Sequence, residues 1–203
     1  MTARDMTRRG LLRGGAAATA GVALAAAAPT LLDPPDALAA TVGDEAALAS
    51  LLRVERVLVL AYEHALSTGL LTPSVQQTVA LFLGHERAHV HALSVNVAAL
   101  GATVPAAPTG TAAFEAELRQ LRVRRSPAEL RNERQHLRFL IDLETLIARH
   151  YRYAIARLSA AKPLSITAEI MANEAQHATI LREVLSPGNV KRAVPTGFVA
   201  GMT

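Results

Sequence analysis

Glu86-Arg87-Ala88-His89 and Glu174-Ala175-Gln176-His177 decide how this chain is read. Each sets a carboxylate and an imidazole three residues apart. A helix turns through about 300° over that interval, so both side chains leave the same face. Working outward, Glu55 precedes Glu86 by 31 residues and Glu144 precedes Glu174 by 30. Each upstream glutamate is followed seven residues later by a tyrosine, Tyr62 and Tyr151. Seven residues drift only about 20° around a helix, so each tyrosine lies two turns along the stripe of its glutamate. The chain thus holds a helical hairpin twice, with its polar residues in register.

These glutamates stand where carboxylates do not belong. Glu55 shares its face with Leu48, Leu51, Leu52, Leu58 and Val59, and Glu144 with Leu137, Leu140, Ile141 and Ile147. Glu86 lies among Val79, Phe82, Leu83 and Val90, and Glu174 among Ile170, Met171 and Leu181. Such a stripe must be buried. An isolated buried carboxylate is very costly, and four converging on one core repel each other unless cations lie between them. Two divalent metal ions carry four positive charges against four carboxylates. One Glu from each of two helices, with Glu-x-x-His from each of two others, is the di-iron or di-manganese carboxylate pattern. Carboxylate oxygen with imidazole nitrogen suits iron or manganese, and no soft ligand is present to select copper(I).

The rest of the chain supports a helical bundle. Four long segments have helical periodicity. The first spans about 45–68 and stops at Gly69; the second follows Thr72-Pro73 and stops at Gly101. A Pro-rich link and a shorter basic helix at 111–124 lead to Ser126-Pro127-Ala128-Glu129, read as a capping box that opens a third helix ending near Ala160. The fourth runs from about Ile166 to Leu185. Short loops make each pair an antiparallel hairpin, and one long crossover joins the pairs. No strand pattern occurs. The expected fold is all-α, a four-helix bundle over 40–185, with an irregular tail at 186–203.

On these motifs the chain resembles the ferritin-like superfamily, closest in spacing to rubrerythrin-like and exported bacterial ferritin-like families. The resemblance covers most of 45–185. It implies a ferritin-like four-helix bundle in which Glu55, Glu86, His89, Glu144, Glu174 and His177 ligate two Fe ions, with Mn as the alternative. Glu86 and Glu174 would bridge, His89 and His177 would each bind one metal, and Tyr62 and Tyr151 would orient carboxylates.

The opening resembles a twin-arginine export signal. Thr7-Arg8-Arg9-Gly10-Leu11-Leu12-Arg13 precedes an Ala- and Gly-rich run, and Ala37-Leu38-Ala39 fits small-x-small cleavage. It departs from the common pattern at Leu11, where Phe is usual. The expectation is a signal at 1–39, read by the twin-arginine machinery, and a protein exported across the cytoplasmic membrane. The alternative is an uncleaved anchor. Twin-arginine systems move folded proteins, so metal can be loaded before export.

Composition removes other classes. There is no Cys, which excludes disulfides, thiolate metal sites and the Cys-ligated iron domain of a full rubrerythrin. Aromatics are 3%, with no Trp, so stacking platforms for single-stranded nucleic acid are absent. The net charge of +4 comes with 19 Arg spread along the chain, which does not indicate DNA. Arg122, Arg124 and Arg125 read as a solvated turn. His85 and His91 read as solvated or at the mouth of the site, Glu63 and His64 as surface, and His150 as packed between helices. His136 has no readable partner. Two functions follow: a di-metal redox enzyme that oxidises Fe(II) or acts on oxygen or peroxide, or a protein that sequesters metal or protects without turnover. A homodimer is an open expectation.

Overall fold

The computed structural model describes residues 35–197, with side chains described from 43 onward. The twin-arginine segment and Arg8 and Arg9 lie outside the described residues. The helices are α1 (Pro35–Ser67), α2 (Pro73–Ala99), α3 (Gly110–Gln120), α4 (Glu133–Ile155), α5 (Ala161–Leu185) and α6 (Val190–Ala193), with a 3-10 turn at Pro127–Glu129. No strand occurs among the described residues. None of their helices is long and apolar enough to cross a membrane.

α1 with α2 and α4 with α5 form the two antiparallel hairpins, and α1 packs against α4 between them. Gly69 turns the first hairpin at φ 67°, and Gly101 closes α2 at φ 83°, conformations that cost a side-chain-bearing residue far more. The stripes read from the sequence make the core: Leu48, Leu51, Leu52, Leu58, Val79, Leu93, Leu140, Ile147 and Leu181 are fully buried or within 1% of it. The crossover is braced rather than loose. α3 buries Phe114 and Leu118, and Glu117 accepts from Arg53 Nε of α1 at 2.6 Å.

Several boundaries differ from expectation for local physical reasons. α1 begins ten residues before Glu45, so the expected cleavage region, Ala37-Leu38-Ala39, has helical backbone. Ser126 caps only the 3-10 turn, through Ala128 N. α4 starts at Glu133 because Asn132 accepts from Gln135 N at 3.0 Å, while Gln135 Oε1 accepts from Arg131 N at 2.6 Å. It ends at Ile155, short of Ala160.

α5 begins at Ala161, five residues early, with no cap from its own segment. The cap comes from α1. Asp44, 1% exposed, accepts from Ser159 N and Ala160 N, both at 2.8 Å. These N–H groups have no partner within a helix, and a carboxylate also suits the positive end of the α5 dipole. Pro163 is tolerated because it falls in the first turn, where no backbone N–H is required. The tail is not wholly irregular: Asn189 Oδ1 accepts from Arg192 N and starts α6, which buries Ala193.

Candidate metal centre

Each bundle helix contributes two polar side chains to one buried point. Glu55 and Tyr62 come from α1, Glu86 and His89 from α2, Glu144 and Tyr151 from α4, and Glu174 and His177 from α5. All four glutamates and both tyrosines are 0% exposed, while His177 is 1% and His89 8%.

The six ligand-type residues fall into two overlapping groups. Glu55, Glu86, His89 and Glu174 form one; Glu86, Glu144, Glu174 and His177 form the other. Within each, donor atoms lie within 4.8 Å of one another. Glu86 and Glu174 belong to both. His89 Nδ1 approaches Glu174 Oε1 at 2.8 Å, Glu86 Oε2 at 3.4 Å and Glu55 Oε2 at 3.6 Å. His177 Nδ1 repeats the pattern, 2.9 Å from Glu86 Oε1 and 3.5 Å from both Glu144 Oε1 and Glu174 Oε2.

These approaches lack hydrogen-bond geometry. Both carboxylate oxygens of Glu86 and Glu174, Oε2 of Glu55 and Glu144, and Nδ1 of both histidines are buried without a hydrogen-bond partner. Buried polar atoms normally have partners. Eight that lack them and face common points fit the donor set of a carboxylate-bridged metal pair. The other two carboxylate oxygens are occupied: Tyr151 donates to Glu55 Oε1, and Tyr62 donates to Glu144 Oε1. Each phenol crosses from one hairpin to the glutamate of the other.

The electrostatics show the same need for positive charge. Burial raises the Glu55 and Glu144 carboxyls well above their ordinary range, and the neighbouring Glu174 and Glu86 add to this. Burial would push both imidazoles down. The carboxylates around them win instead, raising His89 to about 12 and His177 to about 11. Glu174 resists its burial and falls to about 2, because both histidines face it. Burial and the adjacent carboxylates raise both tyrosines, which therefore stay protonated as donors. Without metal, protons are the only counter-charges this cluster can take.

His85 has a more defined place than a solvated mouth. Its Nδ1 lies 2.9 Å from His177 Nε2, and Phe82 stacks on the His177 ring with centroids 4.2 Å apart. The signal in the sequence is its position beside Glu86, on the edge of the buried stripe of α2. His91 is exposed, as expected. Glu63 accepts from Arg87 at 2.8 Å on the surface, and His150 donates from Nδ1 to Leu146 O. His64 is not fully on the surface: its ring is 5.7 Å from that of His136, and its Nε2 lies 3.2 Å from Pro127 O. His136 is fully buried with neither ring nitrogen partnered.

Comparison with known proteins agrees with the fold. The model of the ferritin-like domain matches residues 43–187, and the chain belongs to that family. A conserved hypothetical protein of Mycobacterium tuberculosis, of known crystal structure, is similar at a TM-score of 0.61 and 22% identity. That match covers 73% of this chain and 94% of the other, and it speaks for the fold alone. No functionally curated protein matches the chain. A ferritin-like bundle with buried Glu and His side chains so placed can hold metal ions.

Proposed function

We propose that this is an exported di-metal carboxylate protein that holds two iron ions, or two manganese ions, and acts on Fe(II), oxygen or peroxide. The observation that carries the reading is the set of eight unpartnered donor atoms in two groups that share Glu86 and Glu174. Glu86 and Glu174 would bridge, with Glu55 and His89 completing one subsite and Glu144 and His177 the other. Two redox-active metal ions held there would supply the two electrons that reduction of peroxide requires.

The chain's own residues set how this proceeds. Tyr62 and Tyr151 fix the rotation of Glu144 and Glu55 and leave Oε2 of each for metal. With Nδ1 of His177 taken by a metal, its ring proton would sit on Nε2, and His177 would donate to His85 Nδ1 across the 2.9 Å contact. Burial and the nearby histidines lower the His85 imidazole, which keeps it a neutral acceptor. The enclosure limits what can react. Among the six, only His89 is more than 1% exposed. A cavity of about 490 Å³ abuts the segments carrying Glu144 and Glu174, yet both side chains remain fully buried. Molecules the size of oxygen or peroxide suit such a site.

Anaerobic loading with Fe(II), metal analysis per chain and then oxygen consumption test the reading. Two ions per chain and sustained oxidation of excess Fe(II) are expected. Two ions with no oxygen uptake would leave the sequestering role instead, and fewer than two would defeat the paired site. Export by Arg8 and Arg9 is tested separately: Arg8→Lys with Arg9→Lys should abolish recovery outside the cytoplasm, and unchanged recovery would refute it.

A further inference from the structure

On the outer face of the bundle, α4, the last turn of α5 and the tail line a second, open cavity of about 310 Å³. Its charged lining is Arg134, Arg138 and Asp142 from α4, Arg182 from α5, and Lys191 and Arg192 from α6. Five cations against one acid give an excess of four, as large as that of the entire chain. Arg134, Arg138 and Asp142 recur at four-residue spacing, so α4 presents them on one face. None of the five cations forms an ion pair with a carboxylate among the described residues. Arg182 donates to Thr145 Oγ1 at 2.8 Å, and Arg192 reaches only Ser186 Oγ at 3.4 Å.

Three arginines elsewhere on the surface do have carboxylate partners. Arg53 finds Glu117, Arg87 finds Glu63 and Arg119 finds Glu115. Five cations gathered from three elements repel one another, and Asp142 is the one acid among them. The missing counter-charge is multiply negative. Guanidinium groups match the oxygens of a phosphate in paired hydrogen bonds, and a phosphate monoester carries close to two charges at neutral pH. The volume is at the lower end of small-molecule sites, larger than one phosphate needs. Ile141, Leu185 and Pro195 line the remainder and suit a short organic group.

We propose that this cavity binds a compact phosphate-class dianion, a phosphate monoester or inorganic phosphate, at a site separate from the metal centre.

Calorimetric titration of the full chain with inorganic phosphate and with glycerol 3-phosphate, at about 0.15 M ionic strength to screen the diffuse field, tests it. One saturable site is expected. Arg138→Gln with Lys191→Gln should weaken it at least tenfold. Arg119→Gln with Lys162→Gln removes the same charge elsewhere and should change it less than twofold. Arg182 is left intact because its bond to Thr145 lies next to Glu144. Absence of saturable binding up to about 10 mM, an affinity too weak to matter, overturns the proposal. So does an equal loss in both double variants, which would mean a general field, or binding untouched by the first, which would place the anion elsewhere. Tight binding to phosphatidylglycerol vesicles that free phosphate does not displace would replace the small ligand with a membrane surface.

Discussion

His89 and His177 occupy matching places in the two hairpins, yet their surroundings differ. Each sits three residues after a shared glutamate, and each directs Nδ1 at three carboxylates. His177 is sealed: Phe82 stacks on its ring and His85 holds its far nitrogen. His89 has 8% of its surface in solvent, and no hydrogen bond from the described residues holds its Nε2. The sequence repeat therefore makes two chemically similar subsites but not two equal ones. The difference comes from α2, which carries both His89 and the two residues that support its counterpart. If both groups hold metal, the ion beside His177 should exchange more slowly than the one beside His89.

The largest effect should come from removing what the two subsites share. Glu86→Ala and Glu174→Ala each delete a donor common to both groups, so metal per chain should fall from two to less than one. The metal-free bundle should stay folded in both, with Glu174→Ala the less stable of the two because it also removes the carboxylate that faces both histidines. Glu63→Ala, on the surface, should leave stoichiometry unchanged. Two ions still bound by Glu86→Ala, measured with melting temperatures, would refute the shared role.

The pH dependence is next in size, with opposite signs for the metal-free and loaded forms. His89 and His177 are raised to about 12 and 11, so their stabilisation of the metal-free fold is complete below about pH 6.5 and is lost as pH rises towards those values. Glu55 and Glu144 are raised too, and they weaken the fold as pH rises above about 4.5. Glu174, lowered to about 2, stabilises above about pH 4.5 and loses that as pH falls. The metal-free chain should melt highest near pH 4.5 and lose stability as pH rises from there. Metal affinity should rise with pH instead, about tenfold per unit for each proton displaced. Melting curves at pH 6 and 8, with and without Mn(II), check this; parallel shifts would contradict it.

The inequality itself is tested by His85→Ala. Losing the group that holds a ligating imidazole commonly weakens metal affinity about 10- to 100-fold. The loss should fall on the His177 subsite alone. With the parent protein, a chelator should remove one ion per chain quickly and the second slowly. In His85→Ala the two rates should converge, whereas exposed His91→Ala should keep them apart. A single rate in the parent would show that the two environments do not matter to the metals.

The amino-acid sequence makes the repeat legible but not the inequality. The Glu, His and Tyr spacings are fixed by one helix each, so periodicity alone places all eight on buried stripes, and the bundle follows from those stripes. What stays hidden depends on contacts between distant segments. The cap of α5 is Asp44, 115 residues before Ser159, and nothing near Ala161 announces it. Asn132 and Ser126 are both good caps, and local sequence does not show that Ser126 serves a 3-10 turn. Periodicity puts His85 on an edge of α2, but its partner is on α5. The five cations of the second cavity are spread over 134–192 and meet only once α4, α5 and α6 are packed.

The smallest expected effect concerns the two tyrosines, where the hairpins do look alike. Tyr62 donates to Glu144 and Tyr151 to Glu55, both phenols are fully buried, and both are held protonated. Removing either hydroxyl leaves a carboxylate oxygen unpartnered and free to rotate, at a cost of about 1–3 kcal/mol in a buried setting. Burial raises this carboxyl and so favours its neutral form in a metal-free chain, which puts the loss at the lower end of that range. Tyr62→Phe should therefore loosen metal at the Glu144 subsite, and Tyr151→Phe at the Glu55 subsite, each by no more than about tenfold. Since Tyr62 acts on the sealed subsite, its substitution should speed the slow ion in the chelator experiment and leave the fast one alone. Tyr151→Phe should do the reverse. If either variant changed both rates together, the phenols would be acting on the shared glutamates through the bundle as a whole, and the division into two separately supported subsites would be wrong.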